Sequence, residues 1–174
     1  MASADNAIQG RYYVRSTAEE HIITEVTETC SSGNELPTSS PNVALNKPVS
    51  LSSYYATSSP GSLMTDGSRV PSWPCACTTY EKYPEAVVDL GLPFAITAMY
   101  IVNRGDCCPE RLHDLVIQVG DDMSNLKTIF NNTGAIGATC TVLFDKQQQG
   151  RYVKLYIEGT SFLTVCELEV YSSG

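Results

Sequence analysis

Tyr152-Val153-Lys154-Leu155-Tyr156-Ile157-Glu158 alternates strictly, with Val153, Leu155 and Ile157 on one face and tyrosyl or charged side chains on the other. A period of two is the pattern of a strand that buries one face against a core. Outward from this run the same chemistry recurs in VALNKPVSLSS from Val43, AVVDL from Ala86, FAITAMYIVN from Phe94, DLVIQVG from Asp114 and CELEVYS from Cys166. Gly, Pro, Asn, Asp and Ser clusters separate the runs, and no segment sustains a helical period. Short strands without helices to cover a parallel sheet predict an all-β protein, an antiparallel β-sandwich of jelly-roll type.

The chain has 174 residues and a hydrophobic content of 43%, enough for one packed domain with a tail. Its formal net charge of -8, with no lysine- or arginine-rich stretch, repels polyanions and argues against nucleic acid as a partner. No apolar run is long enough to span a bilayer as a helix, so membrane insertion is not expected. The opening MASADNAIQG lacks the basic and apolar parts of a secretion leader, which implies that a leader has been removed if the protein is exported.

Export is what the cysteines suggest. Seven are present, with Cys75 near Cys77 and Cys107 beside Cys108, while only His21 and His113 are on hand to complete a zinc site. Disulfides in a secreted, extracellular protein account for them better. The sequon Asn131-Asn132-Thr133 agrees with that compartment.

The Pro-, Ser- and Asn-rich stretch from Gly33 to Pro41 reads as a linker, and the module proper runs from residue 42 to residue 174. Upstream, residues 1–32 contain Gly10-Arg11-Tyr12 and end near Ser31-Ser32-Gly33, echoing Gly150-Arg151-Tyr152 and Ser172-Ser173-Gly174. This segment is the tail of a preceding repeat, an unrelated strand pair or a chance echo.

The stretch with most chemistry is Asn103-Arg104-Gly105-Asp106-Cys107-Cys108-Pro109-Glu110-Arg111, which follows the strongest strand and so lies in a loop at one end of the sandwich. Adjacent cysteines can join each other into a cramped ring, giving a stiff apolar knuckle. Between two arginines such a knuckle suits a hexose, offering an apolar surface to its C–H face and guanidinium forks to its oxygens. Asp106 can hold one arginine in place. Arg104-Gly105-Asp106 also spells an adhesion tripeptide, and an RGD-type interaction module without sugar binding is the alternative reading. Nothing singles out the facing carboxylate pair of a glycosidase, and a cysteine nucleophile paired with His113 sits poorly in an oxidised chain. No enzyme is expected.

NRGDCCPER resembles the signature of the F-type lectins, the fucose-binding fucolectin family, whose sandwich is discoidin-like. NVALNKPVSLSS, MTDGS, VVDLG, GRYVKLYI and CELEVY resemble further parts of that family in the same order. The resemblance implies a calcium-dependent lectin that recognises fucose or related terminal sugars on glycans, with further repeats or second copies of the chain as other partners. It implies that Arg104 and Arg111 bind the sugar, that Asp106 orients them, and that a Cys107–Cys108 disulfide packs on the ring. It also implies a Cys77–Cys166 bond, and a Ca2+ site made by Leu63, Asp66, Ser68, Ala76, Cys166 and Glu167, partly through backbone carbonyls. Thr79 stands where the family motif has a histidine donor, so altered sugar specificity is expected. Tyr55 and Trp73 are the aromatic residues placed to border the site. Under this pairing Cys30, Cys75 and Cys140 remain, enough for one more bond and a single thiol.

Overall fold

The structure, a computed structural model, describes Cys30, Leu36 and residues 40–173. Residues 1–29 and most of the linker lie outside the described residues, and with them the repeat echo.

Ten strands carry the described chain: β1 (Val49–Leu51), β2 (Ala76–Cys77), β3 (Glu81–Lys82), β4 (Glu85–Val102), β5 (Leu115–Gly120), β6 (Lys127–Asn131), β7 (Thr139–Ile157), β8 (Thr160–Ser161), β9 (Thr164–Val165) and β10 (Glu167–Ser172). Their main sheet is antiparallel in the order β1-β4-β7-β5-β6, with β10 added to β4. Two single-turn 3-10 helices, Gly61–Met64 and Pro109–Arg111, are the only helical turns among the described residues.

Both long strands change layer. The first part of β4 pairs with β1 and with the end of β7, whereas its last part pairs with β10 and the start of β7. The ladder breaks between Asp89 and Phe94, where Gly91 takes φ +87°, a left-handed conformation that side chains disfavour. Asp89 closes the corner by accepting hydrogen bonds from Gly91 N and, at 2.7 Å from each of two nitrogens, from Arg151. Opposite, Gly150 lies so close to β5 that a Cβ there would meet Val119 at 2.3 Å. The two halves therefore face each other over one core. Val88, Leu90, Val153 and Leu155 from one side meet Met99, Ile101, Val142 and Leu168 from the other, all fully buried.

The sandwich is fastened by Cys30–Cys140, Cys75–Cys166 and Cys107–Cys108. The expected Cys77–Cys166 bond is corrected by register. β2 and β9 pair Ala76 with Val165 and Cys77 with Thr164, so one residue further along the same ladder Cys75 stands opposite Cys166. Alternation puts Cys75 and Cys77 on one face, but only Cys75 is directly across, 4.3 Å away between Cα atoms. Cys77 keeps a buried free thiol 3.2 Å from Thr164 Oγ1.

Candidate functional site

The loop leaving β4 is fixed from beneath by Asn103, which is 1% exposed. Its amide donates to Pro109 O at 2.8 Å and Gly137 O at 2.9 Å, and its carbonyl accepts from Arg104 N at 2.7 Å. One buried side chain thus sets the spacing of the loop's two ends. Gly105 N donates to Pro71 O at 2.7 Å, tying the loop to the Pro71–Trp73 stretch. Cys108, at φ 58°, turns the chain left-handed and starts the helical turn that ends on Arg111.

On this frame Asp106 accepts from Arg104 Nε and a terminal guanidinium nitrogen, and also from Trp73 N at 3.2 Å. These bonds hold its carboxyl below the usual carboxylate value, the Arg104 contact most of all. Arg104 lies over the Trp73 ring, 4.9 Å from its centroid, and Arg111 lies 4.4 Å from the centroid of Phe162. Arg111 makes no side-chain hydrogen bond or ion pair among the described residues, so its donors are open. Ser161 Oγ holds the Arg111 carbonyl at 3.0 Å.

The two arginines, Tyr55, Trp73 and Cys77 line a cavity of about 350 Å³. Tyr55 N donates to Cys77 O and Cys77 N to Ser59 O, which stitches the Tyr55 loop onto β2. Burial raises the Cys77 thiol above its ordinary value, and Thr164 and the two arginines partly offset this. Of the expected sugar contacts, Arg104, Arg111 and Tyr55 converge here. Asp106 works from outside the lining, and Cys107 and Cys108 shape the loop without lining the cavity.

Thr79 does not line this cavity. The ladders on either side of it differ by one residue: three, Thr78 to Tyr80, stand against two, Phe162 and Leu163. Thr78 N bonds Leu163 O and Tyr80 packs on Phe162, so Thr79 is the extra residue, a bulge. Ser53 Oγ donates to Glu81 Oε1 at 2.6 Å and lies 2.9 Å from Thr79 Oγ1. With its only proton committed to Glu81, Ser53 must accept from the threonine. The Thr79 hydroxyl proton is thereby occupied.

A second cavity, about 290 Å³, is lined by Leu63, Asp66, Ser68 and Cys166 among others. Next to it Glu167 is fully buried, and Gly67 N lies 3.2 Å from each of its carboxylate oxygens. Burial, followed by repulsion from Asp66, pushes Glu167 up to about 8. Arg69 clamps the loop to β10 through Glu169, 2.7 Å from Nε. Ala76 is buried in β2. No cluster of three or more His, Cys, Asp or Glu residues appears among the described residues, so a cation here would depend on backbone oxygens. The acidic pair fits one, because a positive ion relieves the repulsion that raises Glu167.

Residues 63–155 match the family model described as NedA-like, galactose-binding domain. The fucolectin of Anguilla anguilla is 31% identical over 128 residues, which are 69% of this chain and 81% of that protein. The chain belongs to the fucolectin family. Fucolectin-1 of Anguilla japonica is 36% identical over 102 residues, covering 55% of this chain and 57% of its own length. An F-lectin from the serum of striped bass, Morone saxatilis, superposes with a TM-score of 0.72 at 33% identity, over 76% of this chain and 49% of its own. The chain thus spans about half the length of these last two lectins. This fucolectin-family domain is built on the antiparallel β-sandwich expected from the sequence.

Phe162 and Asn103 were not singled out by sequence. Phe162 is a lone aromatic in TSFLTVC, and only the β3–β8 register reveals what it faces. Asn103 opens the NRGDCCPER motif, which was a signal of its own.

Proposed function

We propose that the domain binds a terminal sugar of fucose type in the Arg104–Arg111 cavity of a secreted protein. The observation that carries this reading is the pair of guanidinium groups on one cavity, the first fixed by Asp106 over Trp73 and the second open-handed over Phe162. Hydroxyl and ring oxygens accept from such forks, and the aromatic walls take the C–H face. Because the Thr79 proton is occupied, the hydroxyl contact supplied elsewhere in the family by histidine falls to water or to another substituent, which shifts sugar preference. The disulfides, and the lack among the described residues of any helix able to cross a membrane, accord with an extracellular setting.

Calcium would be held by Asp66 and Glu167 with backbone oxygens of the neighbouring loop, and when bound it supplies positive charge that ties the Leu63–Ser68 loop to β10. The adhesion reading finds less support. Arg104 and Asp106 neutralise each other, and Gly105 is bonded to Pro71, so the tripeptide offers no splayed charged tip.

A glycan array run with and without chelator tests the proposal. Arg104→Ala should erase every glycan signal, since charge-assisted bonds contribute ~1.5–3 kcal/mol each to a weak monovalent site. Signals that survive this substitution would place the site elsewhere.

A further inference from the structure

Asn131 heads the sequon Asn131-Asn132-Thr133, and no other asparagine of the chain stands two residues before a serine or threonine. The triplet begins on the last residue of β6, where Val116 of β5 pairs with Asn131 and Ile117 with Phe130. Phe130 points into the core at 1% exposure, so alternation along the strand turns Asn131 to the outer face, where it is exposed. Its side-chain amide donates to none of the described residues. Thr133 is exposed as well, and its hydroxyl is likewise unbonded among them.

Asn132, between the two, is the anchor. Its backbone N donates to Leu115 O at 3.0 Å and its side-chain amide to Gly134 O at 2.9 Å. Gly134, at φ +85°, turns the chain back, and its N donates to Asp114 Oδ1 at 2.7 Å. The triplet is therefore held at its middle residue and offers both outer side chains to solvent. That presentation is what a glycosylating enzyme requires. Asn103 shows the opposite case, 1% exposed with its amide donating to two carbonyls.

The position of the sequon has consequences. The segment after it leads into β7, whose first residues pair with the end of β4. Along the way Ile136 N donates to Leu112 O, and Ala138 O accepts from Asn103 N. Asn131 thus lies at the end of the sandwich that carries the arginine loop. β6 is also last in its sheet, with no strand on its outer side among the described residues. An uncovered strand edge invites pairing between copies, and a bulky hydrophilic group beside it blocks that approach.

We infer that Asn131 is a site of N-linked glycosylation, its glycan standing at the binding end of the sandwich and screening the open edge of β6. The donor is an oligosaccharide carried on a lipid diphosphate. Asn131 Nδ2 bonds to the anomeric carbon while the bond from that carbon to the diphosphate oxygen breaks. The lipid diphosphate leaves with the electron pair, and the amide loses one proton. The inference rests on the extracellular part of the proposed function and is independent of what the arginine cavity holds.

The full chain, exported from eukaryotic cells behind a supplied leader, tests it by peptide mass spectrometry. The peptide containing Asn131 should carry hexose and N-acetylhexosamine, and amidase release in heavy-oxygen water should convert Asn131 to labelled aspartate. Asn131→Gln and Thr133→Ala should each abolish the modification, while Thr133→Ser should keep it. Since Thr133 is exposed and its hydroxyl unbonded, its replacement should leave the fold intact by circular dichroism. An unmodified Asn131 in the exported protein would overturn the site and leave the arginine-cavity reading in place. Recovery of every cysteine as a thiol would instead overturn the extracellular reading, and the glycan with it. Sedimentation velocity reads the screening: Asn131→Gln should self-associate several-fold more strongly than the glycosylated protein, and equal self-association would overturn the cover of β6.

Discussion

The Asp106 carboxylate grips Arg104 at two points, 2.8 Å from Nε and 3.0 Å from a terminal nitrogen. The grip depends on ionisation, and its direction with pH follows. Because the folded carboxyl lies below its ordinary value of 3.8, the contact is complete above that value and is lost as pH falls through the lowered one. Glycan binding should therefore hold steady down to the ordinary carboxylate range and drop below it, while circular dichroism confirms that the sandwich persists. Asp106→Asn should weaken binding on the order of several-fold at neutral pH, the pair being partly exposed. A flat profile for the unmodified protein into strong acid would separate Arg104 positioning from Asp106.

The free thiol on the cavity wall gives a covalent test. Non-reducing peptide mapping should recover Cys75 with Cys166, Cys107 with Cys108 and Cys30 with Cys140, leaving Cys77 alone to react after unfolding. In native protein Cys77 should alkylate slowly, since burial keeps it protonated. Once a bulky reagent has reacted there, glycan binding should vanish. A recovered Cys77–Cys166 peptide would overturn the register of β2 and β9.

Calcium is expected to raise the melting temperature. Linkage sets the gain at about 2.7 kcal/mol when the ion stands at a hundred times its dissociation constant. Asp66→Ala should remove most of that shift, and Glu167→Gln should raise the melting temperature of the ion-free protein by removing a carboxyl whose ionisation is opposed by burial and then by Asp66. Identical melting curves with calcium and with chelator would end the metal proposal.

Thr79 supplies a further test. Since its hydroxyl proton is given to Ser53, Thr79→Val should change glycan affinity by less than about twofold, within the range of ordinary surface substitutions. Thr79→His should tighten binding of free L-fucose in calorimetry. A large loss in Thr79→Val would mean that the hydroxyl turns to the ligand.

The end of β7 was legible because its apolar residues carry a period of two, and β5 because Leu115-Val116-Ile117 is a short apolar run rich in β-branched residues. AVVDL and FAITAMYIVN appeared as two strands and are one, β4, because the Gly91 corner bends a continuous strand without ending it. β6 was missed, its Lys127-Thr128-Ile129-Phe130-Asn131 being too short and too half-exposed to stand out from polar surroundings. In the candidate site the arginines and Tyr55 were readable from their motif or its flank. Disulfide choice between Cys75 and Cys77 was not, since both share a face and only the ladder register separates them. The same limit hid Phe162 and the Thr79 bulge, which depend on a one-residue offset between two short ladders.

The Cys30–Cys140 bond closes a loop with a sequence separation of 110 and enters β7 at a fully buried residue paired with Ile101. Its entropic contribution is of order 4.7 kcal/mol in the chain-constraint view. A mechanical consequence follows. Tension on the chain ahead of Cys30 is delivered through sulfur into the first part of β7, which pairs there with β4, while β5 pairs only with its far end from Tyr152 to Ile157. While that covalent bond lasts, such a pull is borne first by the β4–β7 ladder.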